Sequence, residues 1–144
     1  MSWLKNKPAK LEGKPWLMAV NFVNPHDISA YGMIWDQIWK CELPDDSVPE
    51  IPEAPSQSDS FAGRPACQEQ WKAIWWQMAY EQQPDVGYRR LYYYLHKLVD
   101  QAIGRILEAL DASGMADDTI VVFTSDHGDL LGSHGGMMQK WYNA

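Results

Sequence analysis

With 144 residues, 46% of them hydrophobic and 22% charged, the chain has the length of one ordinary domain and is too apolar to be disordered. A net charge of -7, with no basic block longer than Arg89-Arg90, would repel a phosphate backbone, so no nucleic-acid partner is expected. No stretch approaches the roughly 18–20 apolar residues that span a bilayer. Residues 1–7 lead into no apolar signal segment. No membrane partner is therefore expected, and the cytoplasm is the default compartment.

In chain order, residues 1–14 are Lys-rich and broken by Pro8 and Gly13. They read as a surface lead-in with the end of a helix near Ser2–Asn6. Pro15 to Val23 is a near-continuous apolar run closed by Asn24-Pro25-His26-Asp27. Without polar alternation it reads as a strand buried on both faces, as in a parallel sheet covered by helices. Residues 31–85 hold most of the nine prolines and an acidic stretch that includes Asp45 and Asp46. Trp35, Trp39, Trp71, Trp75, Trp76 and Tyr80 punctuate them, and the later cluster has helical spacing, predicting a helix near 68–82. This segment reads as an excursion from the core. Cys41 and Cys67 share no metal-type spacing and read as unpaired thiols.

From Asp85 to Ser113 the pattern is helical. Leu91, Leu95, Leu98, Ala102, Ile106, Ala109 and Leu110 recur at intervals of three and four, with Gly114 as the stop. Within it, His96 and the Arg89-Arg90 pair read as packing or surface groups. After a turn at Asp117-Asp118-Thr119, Ile120-Val121-Val122-Phe123 reads as a second buried strand that runs into Thr124-Ser125-Asp126-His127-Gly128. Strand, excursion, helix, strand is a right-handed parallel βαβ crossover. Sites in such sheets form beyond the carboxyl ends of strands. His26-Asp27 and Asp126-His127 should therefore share one sheet edge.

Asp126-His127-Gly128-Asp129, followed by His134-Gly135 and Lys140, is the densest polar cluster. A carboxylate and an imidazole at a strand end are both ligands for a divalent metal. On composition alone the same residues read first as a capped turn, with Asp126 on backbone amides and His127 in solvent.

These residues also carry a family resemblance. The run Thr119 to Asp129, then Gly132-Ser133-His134-Gly135 and Lys140, resembles the sulfatases of the alkaline phosphatase superfamily. Phe22-Val23-Asn24-Pro25-His26-Asp27 resembles their mid-chain strand-and-histidine motif, and Tyr92 to Leu107 resembles the helix between the two. Only residues 31–85 have no counterpart. The resemblance implies an α/β fold, a partial alkaline-phosphatase-like three-layer sandwich with a parallel βαβ core and a loop-rich, helical excursion. It would occupy 1–144, with strand and His loop at 15–27, variable excursion at 31–85, helix at 86–113, and strand with metal and sulfate loop at 119–140.

The resemblance further implies hydrolysis of a sulfate ester assisted by a divalent cation, calcium before magnesium or manganese. Asp126 would ligate the metal, with His127 as a second ligand. Lys140 would neutralise charge on the ester oxygens, and His26 would contact the ester or protonate the leaving oxygen. His134 would support the substrate or only shape the loop. His127 stands where many sulfatases carry Asn, which resembles the branch with choline-sulfatase-like enzymes and phosphonate or phosphodiester hydrolases. A phosphate ester is thus the alternative small-molecule substrate.

The departure is large. The family's nucleophile is a formylglycine made in a Cys-x-Pro/Ala-Ser-Arg motif, and neither Cys41 nor Cys67 stands in one. The family's N-terminal pair of metal carboxylates has no match either. The chain thus resembles the middle third of a sulfatase, expected to be inactive without the missing segment. The alternative from another class is a truncated, non-catalytic domain acting in binding, or in homo-oligomer formation through exposed apolar surface.

Overall fold

The structure, a computed structural model, describes residues 14–31, 48–78 and 84–140, without the side chains of 76–78. The expected lead-in helix near Ser2–Asn6 and the readings on Trp35, Trp39, Cys41, Asp45, Asp46 and Tyr80 lie outside the described residues.

Two helices organise the described chain: α1, Ala66–Met78, and α2, Val86–Ser113. Asp85 caps α2 by accepting from the Tyr88 amide at 2.7 Å. Gly114, at φ 70, ends the helix in the left-handed conformation that glycine adopts without strain. Between the caps, Tyr88, Leu91 and Leu95 are buried at spacings of three and four and form the main core with Ile28 and Met138. Each such side chain contributes about 1.5–3 kcal/mol on burial. Tyr31 stands edge-on to Tyr88, ring centroids 5.6 Å apart, and Trp75 of α1 packs on the same cluster. A smaller cluster joins Ala109 and Leu110 to Trp16, Ile106 and Met115.

Arg89 is buried. Its Nε donates to the Ile51 carbonyl at 2.9 Å and an Nη to Pro84 at 2.6 Å. Arg90 reaches the Val48 carbonyl at 3.4 Å. The pair ties the excursion to α2. Among the described residues no helix is long and apolar enough to cross a membrane.

The two apolar runs differ from their expected form. Among the described residues no strand is present, and no backbone hydrogen bond joins 15–23 to 119–125. Both lie open, with Leu17 95% and Ile120 92% exposed. A doubly buried parallel strand takes its ladder bonds from strands on either side and its cover from helices on both faces. The described residues provide only the α2 face.

Candidate active site

The two runs and one side of α2 enclose a trough of about 2020 Å³. Its walls are apolar along Leu17, Val20, Phe22, Val121 and Phe123. His26, Asp126, His127, Asp129 and Lys140 are among the polar residues that line it, though His26 and Lys140 stand more than a hundred residues apart in sequence. His134 is not among the lining residues.

His26 opens a short 3-10 turn, His26–Ala30, and its amide donates to the Val23 carbonyl at 2.9 Å. That turn follows directly on the first apolar run, so the imidazole is exposed at its carboxyl end. At the end of the second run, Asp126 Oδ1 accepts from the His127 amide at 3.0 Å, and Oδ2 lies 3.4 Å from His127 Nε2. His127 Nδ1 lies 2.9 Å from the Gly128 carbonyl. A carbonyl only accepts and an ammonium only donates, so Gly128 at Nδ1 and Lys140 at Nε2 place the proton on Nδ1 and a lone pair on Nε2. The Lys140 ammonium donates to that lone pair at 3.2 Å.

Asp126 thus bonds the adjacent amide, yet its side chain remains 85% exposed and lines the trough. Asp126 oxygen and His127 Nε2 are donor atoms of the kinds a divalent cation accepts. No group of three or more His, Cys, Asp or Glu side chains forms among the described residues. The pair thus fits part of a metal shell, and the remaining ligands would come from elsewhere.

His134 belongs to a different structure. It sits at φ 54 in the Ser133–Gly136 turn; its amide donates to Ser56 Oγ at 3.0 Å, and its carbonyl accepts from Arg64 at 3.5 Å. Lys72 of α1 donates to the Gly135 carbonyl, and the Gly135 amide donates to the Ser56 carbonyl at 2.9 Å. The excursion therefore grips the tip of the 131–139 loop. Cys67, at the start of α1, is a free, exposed thiol.

Three residues without an assigned role in the sequence hold the neck of this loop. Asp129 Oδ1 accepts from the amides of Leu131 and Gln139 at 2.8 and 3.2 Å, and Oδ2 accepts from the Tyr88 hydroxyl at 2.9 Å. Gln139 Nε2 donates to the Tyr88 oxygen at 3.3 Å. The available signal was positional: Tyr88 shares a helical register with Leu91 and Leu95, so a phenol would be buried and need a partner.

Burial dominates the Asp129 carboxyl and raises its pKa above the usual 3.8, although the Leu131, Tyr88 and Gln139 hydrogen bonds and nearby His127 act the other way. Desolvation, followed by the Asp129 charge, pushes Tyr92 up to about 12. The same two causes push Tyr88 far above the ordinary phenol value, which keeps its hydroxyl a donor. The native state holds the Asp129 proton more tightly than the unfolded chain does. This contribution to stability is thus complete below the unfolded pKa and is lost as pH rises through the raised native value. Relative to Asp129→Asn, wild type should lose stability as pH rises from about 3 through the carboxylate range. Thermal midpoints of both proteins against pH would measure this, and a constant difference would refute it.

A sequence model of the Sulfatase family matches residues 3–144. The chain belongs to the sulfatase family. It is 30% identical over 123 residues to a choline-sulfatase from Rhizobium meliloti (strain 1021), covering 85% of this chain and 23% of that protein. It is 29% identical over 133 residues to iduronate 2-sulfatase from Homo sapiens, covering 88% of this chain and 24% of that protein. A multifunctional alkaline phosphatase superfamily protein from Trinickia caryophylli is 46% identical over 46 residues, or 32% of this chain and 9% of its own length. This sulfatase chain thus spans about a quarter of the length of the first two, somewhat less than the third expected from its motifs. No solved structure matches it.

Proposed function

We propose that the chain supplies the metal- and ester-facing segment of a sulfuric-ester hydrolase. The observation that carries this reading is convergence. His26, after one apolar run, and Asp126, His127 and Lys140, after the other, line a single trough in a sulfatase-family chain. In this reading the two runs are strands of an alkaline-phosphatase-like three-layer sandwich, and these residues stand at the carboxyl edge of its parallel sheet.

Asp126 and His127 would hold a divalent cation, calcium first, with magnesium or manganese as substitutes. Such a cation polarises the sulfur or phosphorus of an ester and neutralises its oxygens. Lys140 donates to the same His127 Nε2 lone pair at 3.2 Å, so with a cation on His127 its ammonium would be released toward the ester's anionic group. The exposed His26 ring suits proton donation to a leaving oxygen. His134 acts through the loop. With no formylglycine motif, the chain alone binds without turnover. Loss of a nucleophile removes the covalent route and leaves binding and electrostatics.

Manganese and calcium titrations test the ligand assignment. Asp126→Ala should weaken binding by about a hundredfold or more, since even an outer partner of a metal ligand costs about 10–100-fold. Unchanged binding would sink it. Phosphodiester or phosphonate hydrolysis is the second reading, favoured by His127 in the place where many sulfatases carry Asn. Assays with an aryl sulfate and an aryl phosphodiester, on the natural gene product that carries this chain, separate the two. A clear preference for the diester would overturn the sulfatase reading.

A further inference from the structure

We propose that Asp129, Tyr88 and Gln139 form a clamp that positions Lys140 against His127, a role that rests on the ester-site reading above. Thirteen residues separate Lys140 from His127. The chain between them includes Leu131 at φ 48, Gly132 at 92, His134 at 54, Gly135 at 86 and Gln139 at 64. No regular element of that loop fixes where Lys140 arrives.

The neck of the loop does so. The Leu130 amide donates to the Gln139 carbonyl at 2.8 Å, and the Gln139 amide donates to Asp129 Oδ1 at 3.2 Å. Both residues are then tied to one point on α2. Tyr88, fully buried, donates to Asp129 and accepts from the Gln139 side chain. The residue that follows Gln139 is Lys140. The loop tip has separate anchors in Ser56 and Lys72, so the clamp is not what keeps the loop on the protein. Its distinct consequence is the approach of Lys140 to His127. Neither Tyr88 nor Asp129 touches the reacting groups in this arrangement; they act through Lys140.

Tyr88→Phe tests this with the ring's packing kept and the hydroxyl removed. Two readings are taken on the full chain: the nuclear Overhauser contact between the Lys140 side chain and the His127 ring, and affinity for manganese alone. Loss of the contact and a tighter affinity are expected, because the Lys140 ammonium bonds the same His127 Nε2 lone pair that a cation needs. Leu110→Ala, which opens a cavity in the other core cluster, should leave both readings unchanged. Contact and affinity retained in Tyr88→Phe and in Asp129→Ala would overturn the clamp. So would equal changes in Leu110→Ala, which would reduce the effect to general stability. Wild type that shows the contact but binds no manganese would overturn the ester-site reading instead, and the contact in Tyr88→Phe would then decide the clamp by itself.

Discussion

Gly135→Ala is expected to destabilise the protein by about 2–4 kcal/mol, through backbone conformation and steric contact together. Gly135 sits at φ 86, where an L side chain already costs about 1–2 kcal/mol. An added Cβ would lie 2.7 Å from the Asp59 carbonyl oxygen and 3.0 Å from the Phe61 ring. A backbone oxygen cannot rotate away, so the loop tip must leave the excursion or drag residues 56–61 with it. The bonds from Lys72 and to Ser56 are strained in the process.

Gly63→Ala is the internal control. Gly63 has nearly the same backbone, φ 78, but nothing lies within 4 Å of its would-be Cβ. It should therefore show the conformational cost alone, about 1–2 kcal/mol. Urea unfolding of the three proteins measures the difference through the midpoint at constant slope. Equal costs at both glycines would mean that the Asp59 contact is absent in solution. Manganese affinity provides a second reading, because the grip on the tip and the clamp at the neck act on opposite ends of the loop.

Leu95→Ala is expected to cost about 2–5 kcal/mol, the range for emptying a closely packed site. Leu95 is 1% exposed and belongs to the cluster of Ile28, Tyr88, Leu91 and Met138. These neighbours come from three separate segments and cannot close the cavity without moving the helix. Met138 directly precedes Gln139, so the lost packing falls beside the neck of the loop. On the same helix Leu107 is 40% exposed, and Leu107→Ala should stay within about 0.5 kcal/mol. Thermal or denaturant unfolding of both variants checks the contrast. Similar costs would mean that α2 does not bury the face described.

How much could be read beforehand depended on the range of the interaction. Helix α2 was expected to run from Asp85 to Ser113, and it occupies Val86–Ser113 with Asp85 as its cap and Gly114 as its stop. Its apolar spacing and both caps are encoded within a few residues of each other. Helix α1 was expected over 68–82 and is described over Ala66–Met78, and residues 79–82 lie outside the described residues. The apolar runs at 15–23 and 120–123 were read as strands from composition. A strand exists only through its neighbours, and the described residues supply none.

The site divides in the same way. Asp126, His127, Lys140 and His26 stood out because carboxylate, imidazole and ammonium groups at run ends suggest chemistry through residue type alone. His134 stood out for the same reason, yet its left-handed backbone and its bonds to Ser56 and Arg64 turn it toward the excursion. Asp129 lay inside the polar cluster without a role, because its decisive partner, Tyr88, is 41 residues away.

The sequence by itself determined the helix, its caps, the family and the polar residues proposed for the site. Periodicity, end chemistry and side-chain type are local properties. Only the tertiary structure decided that four of those residues share one trough, that His134 does not, and that a buried phenol holds the loop between His127 and Lys140. Those outcomes depend on hydrogen bonds and packing across distant parts of the chain, and such contacts leave no periodic mark in the sequence.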